Sequence, residues 1–329
     1  MKRNGPLAAV AASVMVAGML LSACTGGAAT TPTDSTTPTK QITIGSMIWD
    51  TSVPFYSNFI KGQQDMADQL GVKLVLVNGN NDIGTEVSMV QQLVTQGVDA
   101  IIVTPSDAQG IVPAIKQANT AGIPVFAANN RADDTQCDIV TFVGADDVEF
   151  GSQQAKLLAQ ALPNGGNVAY MMGQLGTSAQ LLRKQGFDSV MAGYPNIKIV
   201  ESQSANWDAA QALSLTQVWL GKYPAGSLDA IVAQGPEAAN AAKYASDNGR
   251  SDIKFIVGDY PIEVKQGIEA GYIYGTIDQD PGPQGQQSVQ AAYDWLTGNQ
   301  DKVTQPNMYL PLPIVTKDNE AQYPAAWGA

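Results

Sequence analysis

Two short clusters carry side chains suited to holding a small polar molecule: Trp49-Asp50-Thr51-Ser52-Val53-Pro54-Phe55-Tyr56 and Asn206-Trp207-Asp208. Aromatic rings cover apolar C–H faces while carboxylates and amides grip a rim of hydroxyls, and a sugar presents both surfaces. Asn129 and Asp259 add an amide and a carboxylate, each directly after an apolar run. Reactive chemistry is harder to assemble. The chain contains no histidine, which removes the commonest general base and metal ligand. It has no Gly-x-Ser-x-Gly elbow, no phosphate loop ending in Gly-Lys-Ser/Thr, no His-Glu-x-x-His and no Cys-x-x-Cys. A glycosidase working with two carboxylates is the enzymatic reading left open, because 30 acidic residues supply pairs freely. No catalytic residue, metal ligand or cofactor is assigned.

These residues need a scaffold, and the chain announces one. Apolar runs at 42–47, 72–77, 100–105, 123–128 and 141–146 alternate with helical patterns over Phe59–Leu70, Thr85–Gln96 and Ala108–Ala121. Repeated strand-helix units imply a parallel sheet covered by helices on both faces. The second half repeats the plan with runs at 168–173, 197–202, 229–234 and 255–260. VDAIIVTPSDA (98–108) matches LDAIVAQGPEA (228–238), and GIPVFAANN (122–130) matches DIKFIVGDY (252–260), both at the same offset. A constant offset across two strands and the helix between them argues for two lobes of common topology. It also pairs Asn129 with Asp259 just past the carboxyl end of the fourth strand of each lobe. Ligands of open parallel sheets bind at that edge, so the two residues are expected on opposite walls of one cleft. The Trp49–Tyr56 loop follows the first strand at the same edge, and Phe55 and Tyr56 serve equally well as a staple packing the next helix. Trp207 is the strongest single candidate.

The N-terminus reads as an export signal. Lys2 and Arg3 precede an apolar stretch from Leu7 to Leu21 that ends Leu21-Ser22-Ala23-Cys24; it is shorter than the roughly 20 residues a spanning helix needs. The last four residues resemble a lipobox, so residues 1–23 are expected to be a lipoprotein signal peptide and Cys24 a lipid anchor to the membrane. Residues 24–40, rich in Thr and Pro, read as a disordered tether. The remaining cysteine, Cys137, is expected as a small buried hydrophobe, leaving no disulfide within the chain. A formal net charge of −12 argues against nucleic acid as a partner.

Val53-Pro54-Phe55-Tyr56, Val103-Thr104-Pro105-Ser106-Asp107, Gly122-Ile123-Pro124-Val125, Gly176-Thr177-Ser178-Ala179, Arg183, Ala233-Gln234, Val257-Gly258-Asp259 and Thr276-Ile277-Asp278-Gln279 form an ordered series. Through it the chain resembles, over Gln41 to Thr316, the type I periplasmic binding proteins of the ribose, galactose and related simple-sugar ABC importers. The resemblance implies an α/β protein of two doubly wound parallel-sheet lobes joined by a three-strand hinge near Asp146, Gln279 and Met308 to Leu310. The N-terminal lobe would comprise 41–145 plus 280–309, and the C-terminal lobe 146–279 plus 310–329. It implies a monomer that closes on a sugar or polyol and delivers it to a permease and its ATPase, or reports it to a chemosensor.

The site implied by the resemblance has Trp49, Asp50, Phe55 and Tyr56 on one wall, Trp207 and Asp259 on the other, and Gln279 at the second crossover. Asn129 falls where the family carries an amide or carboxylate; the ribose binders follow it with an arginine. Here Asn130 and then Arg131 follow, and either could face the ligand. Leu181 stands where the family keeps an arginine, and Gly235 where it keeps an asparagine. Gly258-Asp259-Tyr260 replaces the usual Gly-Phe-Asp. An atypical ligand, held more by rings than by arginine, is the expectation.

Overall fold

In the computed structural model, residues 40–328 are described; the expected signal peptide, Cys24 and all but the last residue of the expected tether lie outside them. The first lobe begins β1 (Thr43–Ile48), α1 (Pro54–Leu70), β2 (Lys73–Asn78), α2 (Ile83–Gln96), β3 (Ala100–Thr104), α3 (Val112–Thr120), β4 (Val125–Ala128) and β5 (Phe142–Gly144). The chain then crosses and builds α4 (Asp147–Ala161), β6 (Gly166–Met172), α5 (Ser178–Met191), β7 (Ile197–Ser204), α6 (Ala209–Lys222), β8 (Ala230–Ala233), α7 (Ala239–Asp247), β9 (Lys254–Gly258), α8 (Ile262–Ala270) and β10 (Gly275–Ile277). It returns through α9 (Pro281–Leu296) and β11 (Asn307–Tyr309), and crosses a third time into β12 (Ile314–Thr316).

Two six-stranded sheets result, ordered β11-β5-β4-β3-β1-β2 and β12-β10-β9-β8-β6-β7. Strand for strand the orders correspond, and each reverses direction between its first and third strands, the crevice where doubly wound sheets bind ligands. The correspondence breaks at the edges: β11 runs parallel to β5, whereas β12 runs antiparallel to β10. The central strands are apolar on both faces, as in β3, whose five residues are all buried, because helices cover both sides.

The first two crossings enter helices through aspartate caps. Asp146 accepts from the backbone of Val148 and Glu149 at the start of α4, and Asp280 accepts from Gly282 at the start of α9. Each cap satisfies amides that the first helical turn leaves unpaired. The third crossing covers 310–313; Met308, placed in the hinge by the sequence, belongs to β11. The C-terminal segment reaches beyond the second lobe. Ala326 donates to the Tyr260 carbonyl, but Trp327 meets Phe55 of α1 edge to face with ring centroids 5.6 Å apart.

One sequence boundary moves for a clear reason. Helix α1 starts at Pro54, five residues before the expected Phe59, because proline at the first helical position loses no hydrogen bond and already has helical φ. Phe55 and Tyr56 therefore lie on a helix, not in a loop. That helix packs closely on α9: a Cβ on Gly62 would come 2.2 Å from the Gly282 carbonyl oxygen, and one on Gly285 would come 2.0 Å from that of Phe59. Cys137 is half-buried against the first-lobe core, and burial, with Asp133 and Asp134 nearby, pushes its thiol up to about 11.

Candidate functional site

A cleft of about 840 Å³ separates the carboxyl edges of the two sheets, within the usual range for small-molecule sites. Trp49, Asp50, Phe55, Tyr56, Asn129, Asn130, Trp207, Asp259 and Gln279 all line it. Arg131 does not. Its guanidinium lies 3.7 Å over the Phe142 ring and donates to Asn307 Oδ1 (2.8 Å) and the Tyr309 hydroxyl (3.0 Å), fastening β11 to the first lobe. The ring face and two acceptors satisfy the cation away from the cleft, so of the two residues left open after Asn129 it is Asn130 that lines it.

The loops after the strands have special backbones. Asn129 and Asp259, paired by the repeat, both adopt left-handed φ, 58° and 59°. Each sends its backbone N–H to the next strand of its sheet, Asn129 to Val143 O and Asp259 to Ile277 O. Asn and Asp tolerate that region better than other side-chain-bearing residues. A second pair was less visible: Asn80-Asn81-Asp82 after β2 and Asn206-Trp207-Asp208 after β7. Both asparagines, Asn81 and Trp207 have φ of 54–60°, and both aspartates cap the following helix. Trp207 is thus the counterpart of Asn81, which also lines the cleft.

The Trp207 ring rests on two glycines. A Cβ on Gly173 would fall 1.9 Å from its Cζ2, and one on Gly235 would fall 3.0 Å from its Cε3. At Gly173 no larger residue can coexist with the ring in this position; at Gly235 a Cβ would press on the ring and would need it to give by a few tenths of an ångström. On the first wall, Trp49 and Tyr56 meet edge to face at 6.1 Å, and Phe55 and Tyr56 at 5.4 Å. Phe55 and Tyr56 are buried in the first-lobe core and line the cleft as well, so packing the helix and lining the cleft fall to the same residues.

A directional hydrogen-bond chain joins the walls. Trp49 Nε1 donates to the Tyr56 hydroxyl (2.7 Å), which donates to Asn129 Oδ1 (2.7 Å). Asn129 Nδ2 donates to Gln284 Oε1 (3.3 Å), Gln284 Nε2 to Gln279 Oε1 (3.1 Å), and Gln279 Nε2 to Asp259 Oδ1 (2.9 Å). Each member donates to the next, and the chain ends on the Asp259 carboxylate. Such a chain fixes amide orientations and leaves little freedom in the polar groups it contains. Gln284, buried at the start of α9 and central to the chain, was not foreseen; its helix appears in sequence only as a Gln- and Gly-rich stretch.

Arg183, to which the family resemblance gives no role, lines the cleft with its guanidinium. It is buried, lies 3.8 Å over Phe150, donates from Nε to Asp147 (2.9 Å) and from Nη1 to Gln234 O (2.7 Å), and stands 3.9 Å from Asp259. Leu181, by contrast, is 53% exposed. Leu181 brings no arginine to the cleft, as expected, but Arg183 does: two residues along the helix is 200° of rotation, which turns Arg183 inward and Leu181 outward. Burial raises the carboxyls of Asp147 and Asp259, the latter to about 6, against the pull of Arg183. Besides the Gln284–Gln279 link, hydrogen bonds near the cleft that cross between the lobes include Gln174 Nε2 to Asn81 Oδ1 (2.7 Å) and the Arg131 backbone N–H to Ser178 Oγ (2.7 Å).

Two walls built by one repeated topology, facing each other across aromatic rings and amides, are matched by a model of the periplasmic binding protein domain over residues 44–300. The chain belongs to that family. It is a binding protein, not an enzyme, which sets the glycosidase reading aside. As a periplasmic binding protein it works outside the cytoplasm, and among the described residues no helix is long and apolar enough to cross a membrane. The xylitol-binding protein of Mycolicibacterium smegmatis is 32% identical over 320 residues, 97% of this chain and 88% of that protein. The ribose import binding protein of Bacillus subtilis is 30% identical, with 84% and 88% covered. The Caulobacter myo-inositol binding protein, solved with myo-inositol, superposes with a TM-score of 0.80 at 26% identity, covering 85% of this chain and 95% of that one.

Proposed function

We propose that this periplasmic binding protein captures a sugar or polyol between its lobes and delivers it to an ABC permease and its ATPase. One observation carries the reading: a cleft of small-molecule scale has rings on both walls and an ordered amide-carboxylate chain between them. Relatives whose names specify xylitol, ribose and myo-inositol support the same ligand class. Trp207 and the Trp49–Tyr56 pair cover C–H faces; Asn129, Asn130, Asp259 and Arg183 read hydroxyls.

Closure turns about the three crossings, at Asp146, at Asp278–Asp280 and at 310–313, with the lobes taken as 41–145 plus 280–309 and 146–279 plus 310–329. A ligand touching both walls stabilises the closed form by its differential affinity for it. The bonds from Gln174 to Asn81 and from Arg131 to Ser178 then act as a clasp. The protein is proposed to act as a monomer tethered through lipid on Cys24; Cys24→Ser should move it from the membrane fraction to the medium or periplasm.

The test is a thermal-shift screen with pentoses, hexoses, linear polyols and inositols, followed by calorimetry. A ligand at a hundredfold excess over Kd stabilises by about 2.7 kcal/mol. No stabilisation by any member of the panel would overturn the reading.

A further inference from the structure

On the second wall, β8 ends at Ala233 and a short turn over Pro236–Ala238 carries Glu237 toward the cleft. Glu237 lines that cleft, yet it is only 6% exposed and neither carboxylate oxygen has a hydrogen-bond partner in the protein. Native proteins leave few buried polar groups unpaired, because each costs the desolvation of the group with nothing returned. The available cation is already committed: Arg183 serves Asp147 and the Gln234 carbonyl and stands 3.9 Å from Asp259. Among the described residues lining the cleft there is no lysine and no second arginine, while Asp50, Asp208, Asp259 and Glu263 add further carboxylates.

Local space has been cleared for this carboxylate. A Cβ on Gly235 would fall 2.5 Å from Glu237 Oε2, so the glycine that supports the Trp207 ring also lets Glu237 fold inward. Burial pushes the carboxyl up to about 7; the nearby backbone amides of Gly235 and Glu237 ease the effect without reaching hydrogen-bond geometry, and Asp259 adds to it. In its ionised form the carboxylate offers a ligand acceptors alone, so the ligand must donate to it.

We infer that Glu237 is a ligand-binding residue that accepts hydrogen bonds from a donating edge of the captured molecule, supplied by adjacent hydroxyls of a neutral polyol or by the ammonium of an aminated one. The assignment rests on the polyol reading for the class of molecule, but the unpaired carboxylate is independent of it. A deoxy or O-methyl analogue at that edge leaves the carboxylate buried and unpaired, and sites built to bond a hydroxyl reject such analogues strongly.

The experiment compares wild type with Glu237→Gln by calorimetry on xylitol, myo-inositol, glucose and glucosamine, and measures both melting temperatures without ligand. The variant is expected to weaken whichever compounds bind by about ten- to a hundredfold, and to melt no lower than wild type, because a buried unpaired charge has been removed. Glucosamine binding more tightly than glucose assigns the donor to an ammonium; the reverse assigns it to hydroxyls, and both are consistent with Glu237 as acceptor. Affinity within twofold of wild type overturns the inference. A panel that leaves wild type unmoved refutes the polyol reading instead; a fall in the ligand-free melting temperature of Glu237→Gln would then show a structural carboxylate and overturn the inference on its own.

Discussion

Replacing Trp207 by alanine should remove most of the ligand's grip while leaving both cores standing. The ring is backed by the glycine backbones at 173 and 235 and lines the cleft. A sugar face laid on it removes roughly 100 Å² of apolar surface from water, worth about 2.5 kcal/mol at about 25 cal/mol per Å². That corresponds to an approximately 60-fold rise in Kd. At a ligand concentration of a hundred times the wild-type Kd, stabilisation falls from about 2.7 to about 0.6 kcal/mol. For a protein of this size about 2 °C accompanies each kcal/mol, so a shift of about 5 °C shrinks to about 1 °C. The assay is differential scanning fluorimetry with the best ligand of the screen, beside circular dichroism of the unliganded variant. Gly173→Ala supplies an independent arm, since its Cβ must evict the ring without deleting it. If Trp207→Ala keeps more than half of the wild-type shift, or Gly173→Ala binds normally, the stacking argument is wrong.

Two further outcomes follow from the buried charges. Arg183→Ala strands Asp147, whose Oδ2 already lacks a partner; urea denaturation should show a loss of about 3–5 kcal/mol, the usual cost of breaking a buried pair from one side, and a loss under 1 kcal/mol would contradict the burial described. Unliganded stability should decline between about pH 5 and pH 8, because Glu237 and Asp278 are raised to about 7 and Asp259 to about 6, mainly by burial. Raised acids contribute fully below their unfolded pKa and lose that contribution as pH climbs through the folded values. Glu237 alone accounts for about 3 kcal/mol. Asp259 and Arg183 face Glu237, and Asp259 and Asp280 face Asp278, so the decline is shared among them. The lowered carboxyls of Asp82, Asp133, Glu201 and Asp252 act only at more acid pH. A flat profile across that window, or a rising one, would refute this account.

The sequence by itself determined the two-lobed α/β plan, because strand-helix alternation and the shared offset of two strand pairs are properties of order along the chain. Asn129 and Asp259 were legible for the same reason: each ends a strand, and strand ends in a parallel sheet share one edge. Trp207 was legible as an aromatic residue just after a strand, although its true counterpart, Asn81, sits in a loop without aromatic residues. Rotation about a helix and competition among partners were not legible. Leu181 and Arg183 are two residues apart, and only the packing of α5 against α4 turned the arginine inward. Arg131 was drawn to Phe142, Asn307 and Tyr309, two of them far away in the chain. Gln284 gained its place because paired glycines bring α9 onto α1. Glu237 lacked any signal in sequence, since a carboxylate becomes unusual only when burial takes away its water and its neighbours are already engaged. That is decided by what the tertiary fold leaves unpaired.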